Sequence, residues 1–386
     1  MPSSTGPAKT KSLIFGTNLM EALKDERDAA VIRSLDALDG VFEDPSPRKR
    51  LRRAKRQGRE LREQMMDMEP VPFYRSFELV RVPYPTRFAF LNVKGLLSPF
   101  IHIVNRVFIV QFESDDGIKT LLVSPSDPDR NRETPFFKNL SESFGRFQNL
   151  GDRLMAPQEM SVREALEAAG LKPEDVDYIT YDHLHTQDIR GWLGTRDEPG
   201  LFPNAKLLVM EQEWISTKNL LPPQEPWYCP RGIDDVDPER IVLLDGSVFL
   251  GEGVALVHTP GHTEGNHSVA VRTPEGVMVT SENGVGPDAY EPLQSELKPV
   301  REYAEESGME IILNGNTLER GLDQYVSMNM EKAIAGRSVR DERFPNMVCS
   351  SEMDSYWAFP GIKPTFKFGN LSFGRPVYEG EAEEAT

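Results

Sequence analysis

A chain of 386 residues exceeds the usual size of one domain, so a large domain with extensions, or two domains, is expected. A formal net charge of -17 argues against phosphate backbones and anionic membrane surfaces, so neither nucleic acid nor membrane is an expected partner. Two cysteines, Cys229 and Cys349, are too few for a disulfide framework or a thiolate-rich zinc site. With no secretory-type start and no bilayer-length apolar run, a soluble cytoplasmic protein is expected.

Apolar spacing at Leu19, Leu23, Ile32, Leu35 and Leu38, behind a capping pattern at Asn18 and Glu21, predicts a helix from Asn18 to Leu38 that Gly40 stops. A second helix is expected from Pro47 to Met66. Its basic run, Arg48 to Arg53, reads better as a solvated face than as a binding patch. Pro70 and Pro72 then mark a boundary. Residues 1–72 therefore form an N-terminal helical extension, a candidate arm for homodimerisation or a cover for the site.

From Phe73 the texture becomes β-rich. Strands are expected at Ser76–Val82, Phe88–Val93, Ile101–Phe112 and Lys119–Ser124. Ser161 and Glu164 form a capping box that opens a helix ending at Gly170. A short buried strand, Asp177–Tyr181, follows. Further strands are expected at Ala205–Met210, Ile241–Leu244, Val248–Leu250 and Val254–His258. His267–Arg272 and Val277–Thr280 read as a hairpin, and Ile311–Leu313 as a last strand. Helices are expected at Glu211–Ser216, Glu291–Ser307 and Leu322–Ala335. Residues 336–386 form a C-terminal tail rich in Pro, Gly and aromatics that packs on the domain, with a disordered acidic end from Glu379.

Five of the six histidines fall in two short stretches, Asp182-His183-Leu184-His185-Thr186-Gln187-Asp188 and His258-Thr259-Pro260-Gly261-His262-Thr263-Glu264-Gly265-Asn266-His267. Neutral imidazole is the commonest protein ligand for transition metals, and packing does not explain such crowding of a scarce residue. Two residues apart on an extended segment, His183 and His185 point to one side and can meet one ion. Each stretch leaves a strand, and catalytic sites are often held on such loops.

Together these stretches resemble the metallo-β-lactamase superfamily, whose pattern is His-x-His-x-Asp-His followed later by Thr-Pro-Gly-His-Thr-x-Gly. Leu171 to Asp177, Phe202-Pro203-Asn204-Ala205-Lys206, Glu213-Trp214 and Leu244-Asp245-Gly246 extend the likeness towards the branch of N-acyl homoserine lactonases and methyl parathion hydrolase. The resemblance covers residues 73–335 and implies an α/β (α+β) fold, an αββα sandwich with its metal site at one edge of the sheets. It implies a first metal position made by His183, His185 and His262, with Glu282 as a fourth ligand. Departures from the pattern concern the second position. Gln187 and Asp188 stand where the family has Asp-His, Glu282 where it has a bridging Asp, and Asn316 where it has its last His. An imidazole-free set of Gln187, Asp188, Glu282 and Asn316 suits zinc poorly.

The expectation is a hydrolase acting on a small-molecule ester, lactone or related substrate, with one Zn2+ ion; iron and manganese are the alternatives. Asp188 is a candidate metal ligand and general base, with gripping a ligand histidine as its other reading. His267 is a candidate donor to a substrate oxygen, with packing as its other reading. Two other functions compete. One is a mononuclear iron oxygenase of persulfide-dioxygenase type, and the other is a binding module with a degenerate site.

Overall fold

A computed structural model describes residues 26–142, 156–316, 319–357 and 361–378 of the protein. The expected cap at Asn18 and the acidic end from Glu379 lie outside the described residues. The strands are β1 (Ile32–Ser34), β2 (Phe73–Pro85), β3 (Phe100–Ser114), β4 (Gly117–Val123), β5 (Tyr178–Thr180), β6 (Lys206–Met210) and β7 (Ile241–Leu244). They continue with β8 (Val248–Leu250), β9 (Val254–His258), β10 (His267–Thr273), β11 (Gly276–Thr280), β12 (Ser351–Asp354) and β13 (Ser372–Gly374). The main helices are α1 (Glu26–Val31), α2 (Pro47–Met66), α3 (Pro135–Glu142), α4 (Val162–Ala169), α5 (Glu211–Lys218), α6 (Lys298–Ser307) and α7 (Gly321–Ala335).

Two sheets form. One runs β1-β8-β9-β10-β11 and is antiparallel throughout. The other runs β13-β2-β3-β4-β5-β6-β7, with β12 also paired to β3 and parallel steps from β4 to β7. Strand side chains alternate between faces. One set, including Val110, Leu121, Leu208 and Met210 from one sheet and Leu250, Leu256, Val269 and Met278 from the other, fills the space between the sheets. The alternate set faces the helices. Ile109, Leu122 and Leu207 pack in the same core as Ala165 and Leu166 of α4, and Ala255, Ala270 and Val279 share it with Met330 and Ile334 of α7. The result is an αββα sandwich. Packing of α2 along α7 thickens one outer layer. That crossing is close at Gly58, where an added Cβ would lie 2.8 Å from the Met330 carbonyl. No helix among the described residues is long and apolar enough to cross a membrane.

Four expected elements differ, one of them the helix expected over Glu291–Ser307, which begins only at Lys298 after a 3-10 turn at Pro292–Gln294. The first helix ends at Val31, because Ile32, fully buried, pairs with Leu250 and makes β1 the edge of the five-stranded sheet; β-branched residues favour that pleated surface. Phe88–Val93 is not a strand. A helical turn at Thr86–Ala89 leads into a bend with Asn92 at φ 67°. Ile311 and Ile312 are buried, but the Ile311–Leu313 stretch has no ladder; Ile312 N–H donates to the Ala289 carbonyl and the Leu313 carbonyl accepts from Leu91 N–H. The described C-terminal segment is built into the eight-stranded sheet, since β12 pairs with β3 and β13 with β2.

Arg106 of β3 and Glu352 of β12, each 1% exposed, form an ion pair at 2.6 Å that holds the C-terminal segment on the sheet. Arg106→Met leaves that carboxylate uncompensated and is expected to cost about 3–5 kcal/mol in urea unfolding. Adding Glu352→Gln should recover part of the loss; equal stability of Arg106→Met and wild type would contradict this account.

Candidate metal centre

Loops leaving one edge of both sheets build the site. His183 and His185 follow β5, His262 sits between β9 and β10, and Glu282 follows β11. His183, His185 and His262 are all buried, and one ligand atom from each lies within 4.8 Å of the others. Their ring centroids are 4.6 to 5.0 Å apart.

Neighbouring groups orient the rings. His183 Nδ1 lies 3.1 Å from Asp182 Oδ1, leaving Nε2 for the site. His262 Nδ1 donates to the Asn314 carbonyl at 3.2 Å, again leaving Nε2. His185 packs edge-on against Tyr228, and its Nδ1 faces His262 Nε2 at 3.3 Å. Its Nε2 is buried with no hydrogen-bond partner. This arrangement, a carboxylate or carbonyl gripping the far ring nitrogen, fixes the tautomer of a ligand histidine.

The charges follow from burial and proximity. Burial works against a charge on His183, but Asp182 outweighs it and raises the imidazole to about 9. Burial first, and then the charge on His183, hold His262 down to about 3 and His185 well below its ordinary value. Two of the three rings are thus held in the neutral form that binds metal. Glu282 is pushed up by burial and then by Asp182. Its Oε2 lies 3.8 Å from His183 Nε2, and its Oε1 accepts hydrogen bonds from Ser350 and Ser351. A nitrogen-rich donor set with an orphaned buried ring nitrogen and a carboxylate at its rim fits a divalent transition metal.

The remaining expected residues divide. Gln187 and Asn316 line the same cavity as the three histidines and Glu282. Gln187 Oε1 accepts from Ser126 at 3.2 Å. Asp188 does not line it. Its carboxylate is gripped by Arg190, Nε to Oδ1 at 2.9 Å and Nη2 to Oδ2 at 2.5 Å. His267 is fully buried behind the site, with Nε2 3.0 Å from the Thr180 hydroxyl. The structure therefore brings neither Asp188 nor His267 to the cluster: a guanidinium two residues on captures the first, and the β10 register turns the second into the core.

Glu213 carries no local sequence signal of a role at the site. Buried on α5, this carboxylate accepts the Leu184 N–H on Oε1 at 2.8 Å and the Thr263 hydroxyl on Oε2 at 2.6 Å. Gly265 lies so close to the Glu213 backbone that an added Cβ would stand 2.1 Å from its nitrogen. Asn283 does related work from below. Its Oδ1 accepts the His262 N–H at 3.0 Å, and its Nδ2 donates to buried Glu331 at 2.7 Å. Such contacts join residues far apart in sequence, so only the fold shows them.

No family model matches the chain. Among curated proteins it is similar to an N-acyl homoserine lactonase of a Bacillus species, 27% identical over 116 residues that cover 30% of this chain and 41% of that one. It is also similar to an N-acyl homoserine lactonase of Bacillus cereus, 25% identical over 122 residues, 32% of this chain and 43% of that one. The matched region spans about two fifths of these relatives' length. Among solved structures it is similar to a probable metal-dependent hydrolase from Staphylococcus aureus, at 11% identity and TM-score 0.49, covering 81% of this chain and 100% of that one. Another is AidC, a dizinc quorum-quenching lactonase, at 11% identity and TM-score 0.45, covering 81% and 97%. The αββα sandwich with histidine loops at one sheet edge is the arrangement that the sequence resemblance implied.

Glu213→Ala leaves the Leu184 N–H and the Thr263 hydroxyl buried without their acceptor. A loss of about 2–4 kcal/mol in unfolding free energy is expected. Metal binding, read by calorimetric titration with zinc, should weaken about 10–100-fold. Unchanged zinc affinity would show that the carboxylate does not set the geometry of the cluster.

Proposed function

We propose that this protein is a metal-dependent hydrolase of small-molecule esters, lactones or related substrates, working with one tightly held ion, zinc in the first instance. The observation that carries the reading is the convergence of the His183, His185 and His262 ring nitrogens at the base of a cavity. An ion held by these three residues supplies Lewis-acid polarisation of a carbonyl or phosphoryl oxygen and acidifies water for attack.

The chain's own residues do the rest. Asp182 and the Asn314 carbonyl keep His183 and His262 presenting Nε2. Glu282, close to Asp182 and His183, would add an oxygen ligand on the His183 side. Val80, Val82 and Ile103 from the strands, with Phe137, Leu140 and Trp227 opposite, give the cavity an apolar wall that would hold a hydrocarbon or aromatic group. Tyr84, also in the lining, donates its hydroxyl to Asn314 Oδ1 at 2.6 Å and steadies the loop that grips His262.

Occupancy by one ion is supported by what has become of the second position. Arg190 takes both oxygens of Asp188, and the Gln187 amide oxygen is bonded to Ser126. The Arg190 guanidinium supplies the positive partner that a metal ion would otherwise supply to the Asp188 carboxylate. Asp188 then acts to hold the loop that carries His185, and not as a base.

The purified protein is expected to contain one equivalent of divalent metal and to hydrolyse members of a panel of acyl lactones and aryl esters. Chelation, His183→Ala or His262→Ala should each lower activity by about 10³-fold or more, a loss of several kcal/mol of transition-state stabilisation. Full metal content and activity in both alanine variants would sink the reading. Bound iron with oxygen uptake would replace hydrolysis by oxidation.

A further inference from the structure

Glu282 carries two oxygens that the structure treats differently. Oε1 accepts the Ser350 hydroxyl at 2.9 Å and the Ser351 hydroxyl. Oε2 accepts neither and faces His183 Nε2 at 3.8 Å. His183 has its other nitrogen engaged by Asp182, so Nε2 and Oε2 are turned to one space.

Both serines belong to the C-terminal segment, some seventy residues from Glu282 along the chain. Their placement is not loose. Ser351 stands opposite Asn105 in the β12–β3 register, and the Ser350 carbonyl accepts the Arg106 N–H at 2.8 Å. The next residue, Glu352, is pinned by the buried Arg106 ion pair. Asn105 Nδ2 reaches Ser351 Oγ at 3.5 Å, so that hydroxyl can accept from Asn105 while it donates to Glu282. Ser350 Oγ also lies 3.3 Å from Asp182 Oδ2, between the two carboxylates that flank His183. Without a donor there, two carboxylates would face each other beside His183.

We infer that Ser350 and Ser351 are positioning residues: by occupying Oε1 they make Glu282 a one-oxygen donor aimed at the three-histidine cluster. The C-terminal segment is therefore part of the centre and sets how many oxygens its carboxylate gives to an ion. Resting on the metal-site reading above, this assigns to β12 a task that the histidine motifs do not contain.

Cobalt(II) is the probe, because its visible absorption bands report ligand number and geometry apart from turnover. The full-length Ser350→Ala/Ser351→Ala variant is expected to bind cobalt about 10–100-fold more weakly than wild type and to change the intensity and position of the bands. Glu282→Gln should give a loss of the same size. Adding the serine substitutions to Glu282→Gln should change little further, since residues acting through one contact are not additive. Ser351→Thr, which keeps a hydroxyl, should restore most of the affinity lost in Ser351→Ala. Cobalt affinity and spectrum equal to wild type in the double serine variant would overturn the inference. So would serine and Glu282 effects that add in full. If wild type binds no cobalt at all, the metal-site reading itself fails and takes this one with it. If His183→Ala abolishes binding while the serine variants are silent, only the positioning role falls.

Discussion

One buried carboxylate holds the two halves of the centre together. His183 and His185 leave the eight-stranded sheet and His262 leaves the five-stranded one, so their nitrogens meet only where the sheets are kept in register at that edge. Glu213 does this from α5, accepting one donor from each loop, Leu184 N–H and the Thr263 hydroxyl. Burial raises its proton affinity, and these donors work in the opposite direction. Charge-assisted hydrogen bonds in a dry setting are strong, and a missing partner there is costly. The cost of burying one carboxylate is thus offset by geometry that packing of apolar loops would not define.

A similar logic recurs around the site. Asn283 passes the constraint from Glu331, a buried residue of α7, to the backbone of His262. Arg106 and Glu352 fix β12, and through it the serines that meet Glu282. His183, His262 and Glu282 are each held by a second group, and the holders of His262 and Glu282 come from outside the two histidine stretches. The helices and tail that enclose the sandwich are therefore more than a covering: α5, α7 and β12 each send a polar side chain inward to the loops.

The sequence made the strand pattern and the histidine stretches legible, because both are local signals. Strands β7, β8 and β9 have the expected ends, and the Ser161 capping box is present with both its hydrogen bonds. What was not legible depends on tertiary partners. Nothing local says that Ile32 will find Leu250, so the helical spacing continues through what the fold makes a strand. Asp188 follows the first histidine pair at a spacing suited to a ligand, yet Arg190 lies close enough to claim it. Ser350 and Ser351 lie in an unremarkable stretch and matter only because β12 joins β3.

The most direct measurement is X-ray absorption on the protein loaded with zinc. The account predicts a shell of nitrogen and oxygen donors at about 2.0–2.2 Å containing three imidazoles, and no metal–metal scattering. A metal–metal distance of about 3.5–4 Å would mean a two-ion centre and would contradict the capture of Asp188 by Arg190. Fewer than three imidazoles in the shell would contradict the assembly of the site from both histidine stretches.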